Sequence, residues 1–430
     1  MRQGQKTMKK TVWAAILTIL AVLTAPAGTV NMDYEAKNYS IAEKDAVVPV
    51  LPPLLTTATI DHWQHFRRQE ILQLLARECY GELPPPAEHT AVTILNESRH
   101  ALGGNAIRRE LKLEFTHQGR KFAFIMLVYL PANASKTHKV PAFAGLNFLG
   151  NHHTVNDPAV TPTGGRFGEP GRGKQAYRWG FEEAVKRGYA SATVCYHDVF
   201  PNAVNCEQES IFSLFYPPQQ YGEIYRRHSV ISGWAWGMIQ MKKALQQLPE
   251  IAPDKIIAHG HSRLGKTALW AGACDQEFAM VIANDSGCGG AALHKRKFGE
   301  NLSRHFEAHL ERGIPVWFNQ NLHKYINKEE LLPFDAHFLL ALIAPRQLCI
   351  GSAAEDFGAD PKGEFLSCVA ASEVYEMYGF APFGAKEMIA PDTHVPGIIH
   401  YHLRIGKHDQ TPHDWGRYLD AADRYFNPLK

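Results

Sequence analysis

A serine stands at the centre of a strand–turn–helix pattern that is typical of a catalytic nucleophile. Apolar residues 256–258 predict a short strand, a turn carries Gly260 and Ser262, and residues 267–273 predict a helix behind it. Gly260 allows a tight turn that holds the Ser262 hydroxyl clear of the sheet edge, and Gly265 lets the helix pack closely. The alternative is an ordinary helix N-cap at Ser262, but the preceding strand favours a nucleophile.

A serine nucleophile needs a base and an acid that orients the base. Three predicted strands follow the one that leads to Ser262, and they end at Asp285, Asp356 and His408 in turn. Because the carboxyl ends of parallel strands lie at one edge of a sheet, these side chains can meet there. We predict that His408 is the base, and His413 is the next-best candidate.

The orienting acid has two candidates. Asp356 follows the seventh strand of the predicted core sheet, and Asp285 follows the strand before it. Either could reach a histidine on the loop after the last strand, and one of them is otherwise a turn or N-cap aspartate. We predict that Asp356 is the main acid and that Asp285 contributes less, because the Asp356 loop faces the His408 loop across one strand position.

Metal chemistry has weak support in the sequence. The pair His152–His153 and the alternating His400 and His402 could chelate an ion, but no third ligand follows at a diagnostic spacing. We therefore expect no catalytic metal and no cofactor.

The N-terminus has the pattern of a secretory signal peptide. Four basic residues precede an uncharged run over 12–23, and the small residues 25–27 suit a cleavage site. The run is too short to span a bilayer comfortably. We predict a signal peptide over 1–27, an extended Pro-rich lead-in over 28–60 and a catalytic domain over 61–430, in a secreted or periplasmic protein.

Composition sets limits on the class of partner. The chain has 430 residues, 45% of them hydrophobic and 20% charged, which is ordinary for a globular protein. Removal of residues 1–27 changes the formal charge from +2 to −2. The net positive charge of the chain therefore comes from the predicted signal peptide, and nothing indicates nucleic-acid binding. Seven cysteines, an odd count, predict at least one free thiol or an intermolecular bridge in an exported protein.

The remaining pattern predicts an α/β fold. A helix over 63–80 and antiparallel strands over 90–95, 106–116 and 121–130 come first. Short apolar strands then alternate with helices, which argues for a mostly parallel sheet covered on both faces. Trp234 and Trp236 fall in a long predicted helix over 230–248, where a core role is more plausible than a sugar platform.

Several motifs together resemble the glucuronoyl esterase family of carbohydrate esterases, in its bacterial form. The similarity spans about residues 140–426, with the motifs in the same order. The elbow is specific, because few serine hydrolases have Arg directly after the Ser and then Gly-Lys, as at Arg263, Gly265 and Lys266. The motifs are residues 260–266, 284–292, 332–337, 342–346, 406–409 and 414–415.

The resemblance implies an α/β-hydrolase fold, a three-layer sandwich, and cleavage of esters between glucuronate on xylan and lignin alcohols. It implies Ser262 as nucleophile, His408 as base, Arg263 as oxyanion stabiliser and Lys266 as a contact to the uronate. In fungal members the acid is a Glu at the position of Asp285, whereas bacterial members often carry an acid at the position of Asp356.

The sequence also departs from the family pattern. Fungal members have a disulfide between the positions of His261 and Asp409, and both partners are absent here. Gly358 replaces a sugar-contacting Trp of bacterial members, and Ile314 replaces a Glu of fungal members. The ester chemistry is thus better supported than the substrate. The alternatives are an esterase for acetyl-xylan or another carbohydrate ester, and an inactive carbohydrate-binding protein on a hydrolase scaffold.

Overall fold

One ten-stranded sheet organises the part of the chain that the structure describes. The computed structural model describes residues 41–306 and 317–426, so the predicted signal peptide lies outside it. The strands are β1 (His89–Ala101), β2 (Ala106–His117), β3 (Arg120–Pro131), β4 (Val140–Asn147), β5 (Ala190–Cys195), β6 (Ile251–His261), β7 (Met280–Asn284), β8 (Gln347–Ala353), β9 (Thr393–Val395) and β10 (Ile399–Arg404).

The strand order is β1-β2-β3-β5-β4-β6-β7-β8-β10-β9. The first three strands pair antiparallel, and β3 joins β5 in the same way. From β5 to β10 every neighbouring pair is parallel. This confirms the predicted mostly parallel sheet with an antiparallel N-terminal part. The short edge strand β9, antiparallel to β10, had no signal in the sequence.

Helices connect the parallel strands, as the alternating pattern predicts. The first helical segment runs over 60–80, with π-type turns at Trp63–Arg67 and Ala76–Tyr80. The α-helices of the described chain are Ile60–His62, Arg68–Leu75, Phe181–Lys186, Phe212–Phe215, Tyr221–Arg227, Val230–Gln246, Arg263–Cys274, Ala336–Ala341, Pro361–Met377 and Pro412–Phe426.

Both faces of the parallel strands are buried, which explains their unbroken apolar runs. On β6, Ile256 and Ala258 belong to one hydrophobic cluster and Ile257 to another. The Trp234 and Trp236 side chains are buried in the first cluster, so their predicted core role is confirmed. Because side chains alternate across a strand, helices must cover each face of the sheet. The result is a three-layer arrangement that presents the strand ends at one edge.

The cysteines have no disulfide partners in this structure. All seven are free, and all but the half-buried Cys274 are buried. Burial raises the pKa of thiols such as Cys195 and Cys368 well above their usual value, so they stay protonated and inert. Within the described residues no helix is long and apolar enough to cross a membrane.

Candidate active site

Ser262 lies at the sharp turn between β6 and the helix Arg263–Cys274. Its backbone has φ 57° and ψ −129°, a conformation that is rare outside functional turns. The Ser262 side chain makes no capping hydrogen bond, which removes the N-cap alternative. A Cβ on Gly260 would lie 2.0 Å from the carbonyl oxygen of Leu264, so the turn requires glycine there. The local sequence thus builds the strand–turn–helix geometry that is typical of a nucleophile elbow.

His408 and Asp356 come together across the loops that follow β10 and β8. The Nδ1 atom of His408 lies 2.5 Å from Oδ2 of Asp356, a short charge-assisted hydrogen bond. Asp356 is buried, whereas the His408 side chain keeps a third of its surface exposed. When Nδ1–H donates to the carboxylate, the Nε2 atom of a neutral His408 is left with a free lone pair.

Asp285 lies close to this pair but has other partners. A carboxylate oxygen of Asp285, a carboxylate oxygen of Asp356 and a ring nitrogen of His408 all lie within 4.8 Å of one another. The Oδ2 atom of Asp285 accepts from Arg404 Nη2 at 3.1 Å and from the Asp409 N–H at 3.3 Å. Burial, and then the charge of Asp356, raises the pKa of Asp285 well above its usual value, although Arg404 opposes the rise. Two buried carboxylates this close do not both ionise readily.

Arg404 holds the histidine loop in place, a role that the sequence did not reveal. Its Nη2 atom donates to the carbonyl oxygens of Lys407 and Asp409, both at 2.6 Å, and its Nε atom lies 3.0 Å from Asp414. The one available signal was an arginine at the end of a predicted strand. A buried cation in such a place needs partners.

The region of the fungal disulfide is occupied by polar contacts. Arg178 Nε lies 2.6 Å from Oδ1 of Asp409, and His261 Nδ1 lies 2.7 Å from Oδ1 of Asn284. The rings of His261 and His408 are 4.6 Å apart. Burial, and next the charge of His408, holds the pKa of His261 well below its usual value, so His261 is neutral beside the predicted base.

Arg263 lies against aromatic side chains. Its guanidinium carbon is 4.3 Å from the centre of the Trp317 ring and 5.7 Å from that of Phe148. Burial, and after it the Arg263 charge, lowers the pKa of His197 to about 3. His197 is therefore neutral beside the positively charged Arg263 guanidinium.

Lys266 is deeply buried, one helical turn after Ser262. Only 3% of the residue is exposed. Its Nζ atom donates to the Ser286 carbonyl at 2.6 Å and lies 3.8 Å from Oε2 of Glu300. One turn beyond Ser262, the ammonium is thus fixed beneath the loop that begins with Asp285.

The other histidine candidates lie elsewhere. His413 faces Asp392 at 3.6 Å and has no part in the His408 cluster. His152 and His153 both direct Nε2 at the carbonyl of Glu169, at 3.2 and 3.0 Å.

Of the alternating candidate metal ligands His400 and His402, His402 lies with its Nε2 atom 2.8 Å from Oδ1 of Asp414. Two positions where the sequence departs from the family pattern are not part of the cluster of Asp285, Asp356 and His408. Gly358 follows Asp356 in the same loop, next to the exposed Phe357. Position 314 lies outside the described residues.

Comparisons with known proteins bear on this arrangement. A family model described as "Glucuronyl esterase, fungi" matches residues 188–379. The carbohydrate esterase MZ0003 of an unidentified prokaryote is 37% identical, with 97% of this chain and 99% of that protein covered.

Two solved bacterial structures are also similar. A promiscuous family 15 carbohydrate esterase from a marine bacterial metagenome has a TM-score of 0.81 and 37% identity, covering 90% of this chain and all of that one. A glucuronoyl esterase from Solibacter usitatus has a TM-score of 0.82 and 34% identity, with the same coverage.

The fold and these similarities define a carboxylic ester hydrolase of the α/β-hydrolase type. The chain belongs to the glucuronoyl esterase family of carbohydrate esterases. The fold that the sequence resemblance implied is thereby confirmed.

Proposed function

We propose that this esterase cleaves glucuronoyl esters that link glucuronoxylan to lignin alcohols, by a serine acyl-enzyme mechanism. Family membership supports the ester class, and the 2.5 Å contact between His408 and Asp356 near the Ser262 turn supports the mechanism. In this proposal Ser262 is the nucleophile, His408 the base and Asp356 the orienting acid.

The first half of the reaction forms the acyl-enzyme. The Oγ atom of Ser262 attacks the ester carbonyl carbon while Nε2 of His408 takes its proton. Asp356 holds the Nδ1–H tautomer and stabilises the imidazolium that forms. When the tetrahedral intermediate collapses, His408 returns the proton to the departing alcohol oxygen. Water then attacks the acyl-enzyme by the same proton route and releases the free uronic acid.

Arg263 is proposed to stabilise the oxyanion. Its guanidinium is held by Trp317 and Phe148, so little reorganisation is needed as the negative charge develops. Backbone N–H groups at the turn would add further donors. Removal of one such donor costs about 3 kcal/mol in well-studied hydrolases.

Lys266 is proposed to contact a hydroxyl of the uronate rather than a carboxylate. An ammonium has three donors, and one is used by the Ser286 carbonyl. Glu300 already lies near the charge. An esterified uronate carries no carboxylate charge, so a neutral hydroxyl fits this environment better than an anion does.

The substrate proposal is tested by comparing kcat/KM on benzyl glucuronate and on 4-nitrophenyl acetate. We expect the glucuronate ester to be preferred by about tenfold or more, since contacts beyond the carbonyl add binding in the transition state. The reverse preference would support the second candidate, an acetyl-xylan or other carbohydrate esterase. Gly358 in place of the sugar-contacting Trp favours that candidate, and a similar structure is described as promiscuous.

The inactive-scaffold alternative has its own test. A fluorophosphonate probe labels only a serine that a base activates, so we expect covalent labelling at Ser262. Absence of labelling in folded protein would support a binding protein instead.

Export is also proposed, from the leader pattern in residues 1–27. N-terminal sequencing of protein from the periplasmic or culture fraction should give a mature chain that begins near residue 28. A chain that retains Met1 in that fraction would contradict cleavage.

A further inference from the structure

Glu364 is a fully buried carboxylate that bonds to two of the strand ends at the active site. It lies in the first turn of the helix Pro361–Met377 and has 0% exposure. Its Oε1 atom accepts from the Ser286 hydroxyl and from the Gly287 N–H, both at 2.9 Å. Its Oε2 atom accepts from the Ser352 hydroxyl at 2.5 Å. Every one of these donors belongs to an active-site strand end.

The two connected segments are those that carry the candidate acids. Ser286 and Gly287 directly follow Asp285 after β7, and Ser352 lies near the end of β8, four residues before Asp356. A single side chain therefore links the loop after β7, which begins with Asp285, to the end of β8, the strand that leads to Asp356. Since a hydrogen bond weakens beyond about 3.2 Å, small displacements of these loops matter.

The chemistry of Glu364 argues against a purely space-filling role. A carboxylate is costly to bury, and apolar side chains of similar volume often replace buried charges without loss of stability. Here the carboxyl group is buried with three hydrogen bonds to its two oxygens. Burial raises its pKa to about 7 although the Ser352, Gly287 and Ser286 donors lower it. The three hydrogen bonds of the Glu364 carboxyl group fix the position of the end of β8 relative to the loop after β7.

We propose that Glu364 is a positioning residue, which ties the end of β8 to the loop after β7 so that Asp356 is held against His408. The inference rests on the proposed triad of Ser262, His408 and Asp356. Glu364 itself contacts neither the serine nor the histidine, so its effect on the reaction passes through the loops that it connects.

The test uses the rate at which a fluorophosphonate labels Ser262, together with kcat and KM on 4-nitrophenyl acetate. In Glu364→Ala the loop after β7 and the end of β8 both lose their acceptor. We expect the labelling rate constant and kcat to fall about tenfold or more, because misplacement by about 1 Å can cost up to about a hundredfold. KM should stay within about threefold, since the acetyl ester does not use the uronate contacts.

Two further variants separate positioning from simple stability. Glu364→Gln keeps an oxygen for Ser286 and Gly287, so we expect it to recover to within about threefold of the wild-type rate. Glu373→Gln removes the same charge from an exposed position of the same helix, and should match the wild type. A merely structural role would lower the melting temperature of Glu364→Ala without changing the labelling rate constant of the folded fraction.

The outcomes are distinct. Folded Glu364→Ala that labels within about twofold of the wild type overturns the proposal. If that variant does not fold, Ser352→Ala removes only the contact at β8, and a wild-type labelling rate for it overturns the proposal equally. If the wild-type enzyme itself fails to label, the proposed triad fails, which is a different result from equal labelling of the two proteins.

Discussion

Asp285 and Asp356 end neighbouring parallel strands, yet their side chains enter different environments. Asp356 lies in a loop that turns toward His408 and shares a 2.5 Å hydrogen bond with it. Asp285 has a left-handed backbone, φ 43°, and its carboxylate is engaged by Arg404 and the Asp409 N–H. One strand end thus contacts the predicted base, and the other contacts the guanidinium that holds the base's loop. Equivalent positions in a sheet do not by themselves assign equivalent roles.

Loss of the nucleophile should have the largest effect. Its residual kcat is the lowest value with which the variants of the two acids are compared. Ser262→Ala should lower kcat on any ester by a factor on the order of 10⁴ or more while circular dichroism remains that of the wild type. Residual activity within about tenfold of the wild type would place the chemistry elsewhere, and the comparison of the acids would lose its basis.

Asp356→Asn should come next. The amide keeps the shape but removes the charge that stabilises the imidazolium and selects the Nδ1–H tautomer. We expect kcat to fall by a factor on the order of 10³. Steady-state kinetics beside Asp392→Asn, an exposed aspartate near the same edge of the sheet, would check that the loss is specific. A loss smaller than that of Asp285→Asn would reverse the assignment.

Lys266→Ala tests whether the part of the site next to Asp285 binds the substrate. The Nζ atom of Lys266 donates to the carbonyl of Ser286, the residue directly after Asp285. We expect KM for glucuronate esters to rise about tenfold, the value of one hydrogen bond from a charged donor, with little change for acetyl esters. Equal losses on both substrates would instead mean that Lys266 supports the loop.

Asp285→Asn should have the smallest effect on catalysis. Because His408 donates its Nδ1–H to Asp356 and not to Asp285, we expect kcat to fall less than about tenfold. A loss comparable to that of Asp356→Asn would show that the two acids share the role.

The same variant should have a pH-dependent effect on stability. The pKa of Asp285 is raised in the folded protein, mainly by burial and by Asp356. The folded state therefore keeps a proton that the unfolded chain loses above about pH 4, so this group lowers the stability of the wild type as pH rises. Melting temperatures from pH 4.5 to 8 should show Asp285→Asn gaining relative to the wild type. A difference that does not change with pH would contradict the raised pKa.

The four central residues of this site could be predicted from the sequence, because each stands at the end of a predicted strand. Ser262, Asp285, Asp356 and His408 each follow a predicted strand, and parallel strands bring such ends to one edge of the sheet. The partners could not be anticipated in the same way. Glu364 contacts Ser286 and Gly287, and Arg404 contacts Asp285, from positions far apart in the chain, and neither residue lies in a pattern with a recognisable spacing.

The amino-acid sequence by itself determined the alternation of strands and helices, the elbow at Ser262, the set of candidate acids and the family. These depend on local periodicity, on glycine where the turn leaves no room for a Cβ, and on short motifs. Only the tertiary structure decided that His408 bonds Asp356, that Arg404 engages Asp285 and that Lys266 is buried beneath Ser286. Such choices depend on loop positions to within about 1 Å, because hydrogen bonds tolerate little more, and residue order does not encode distances on that scale.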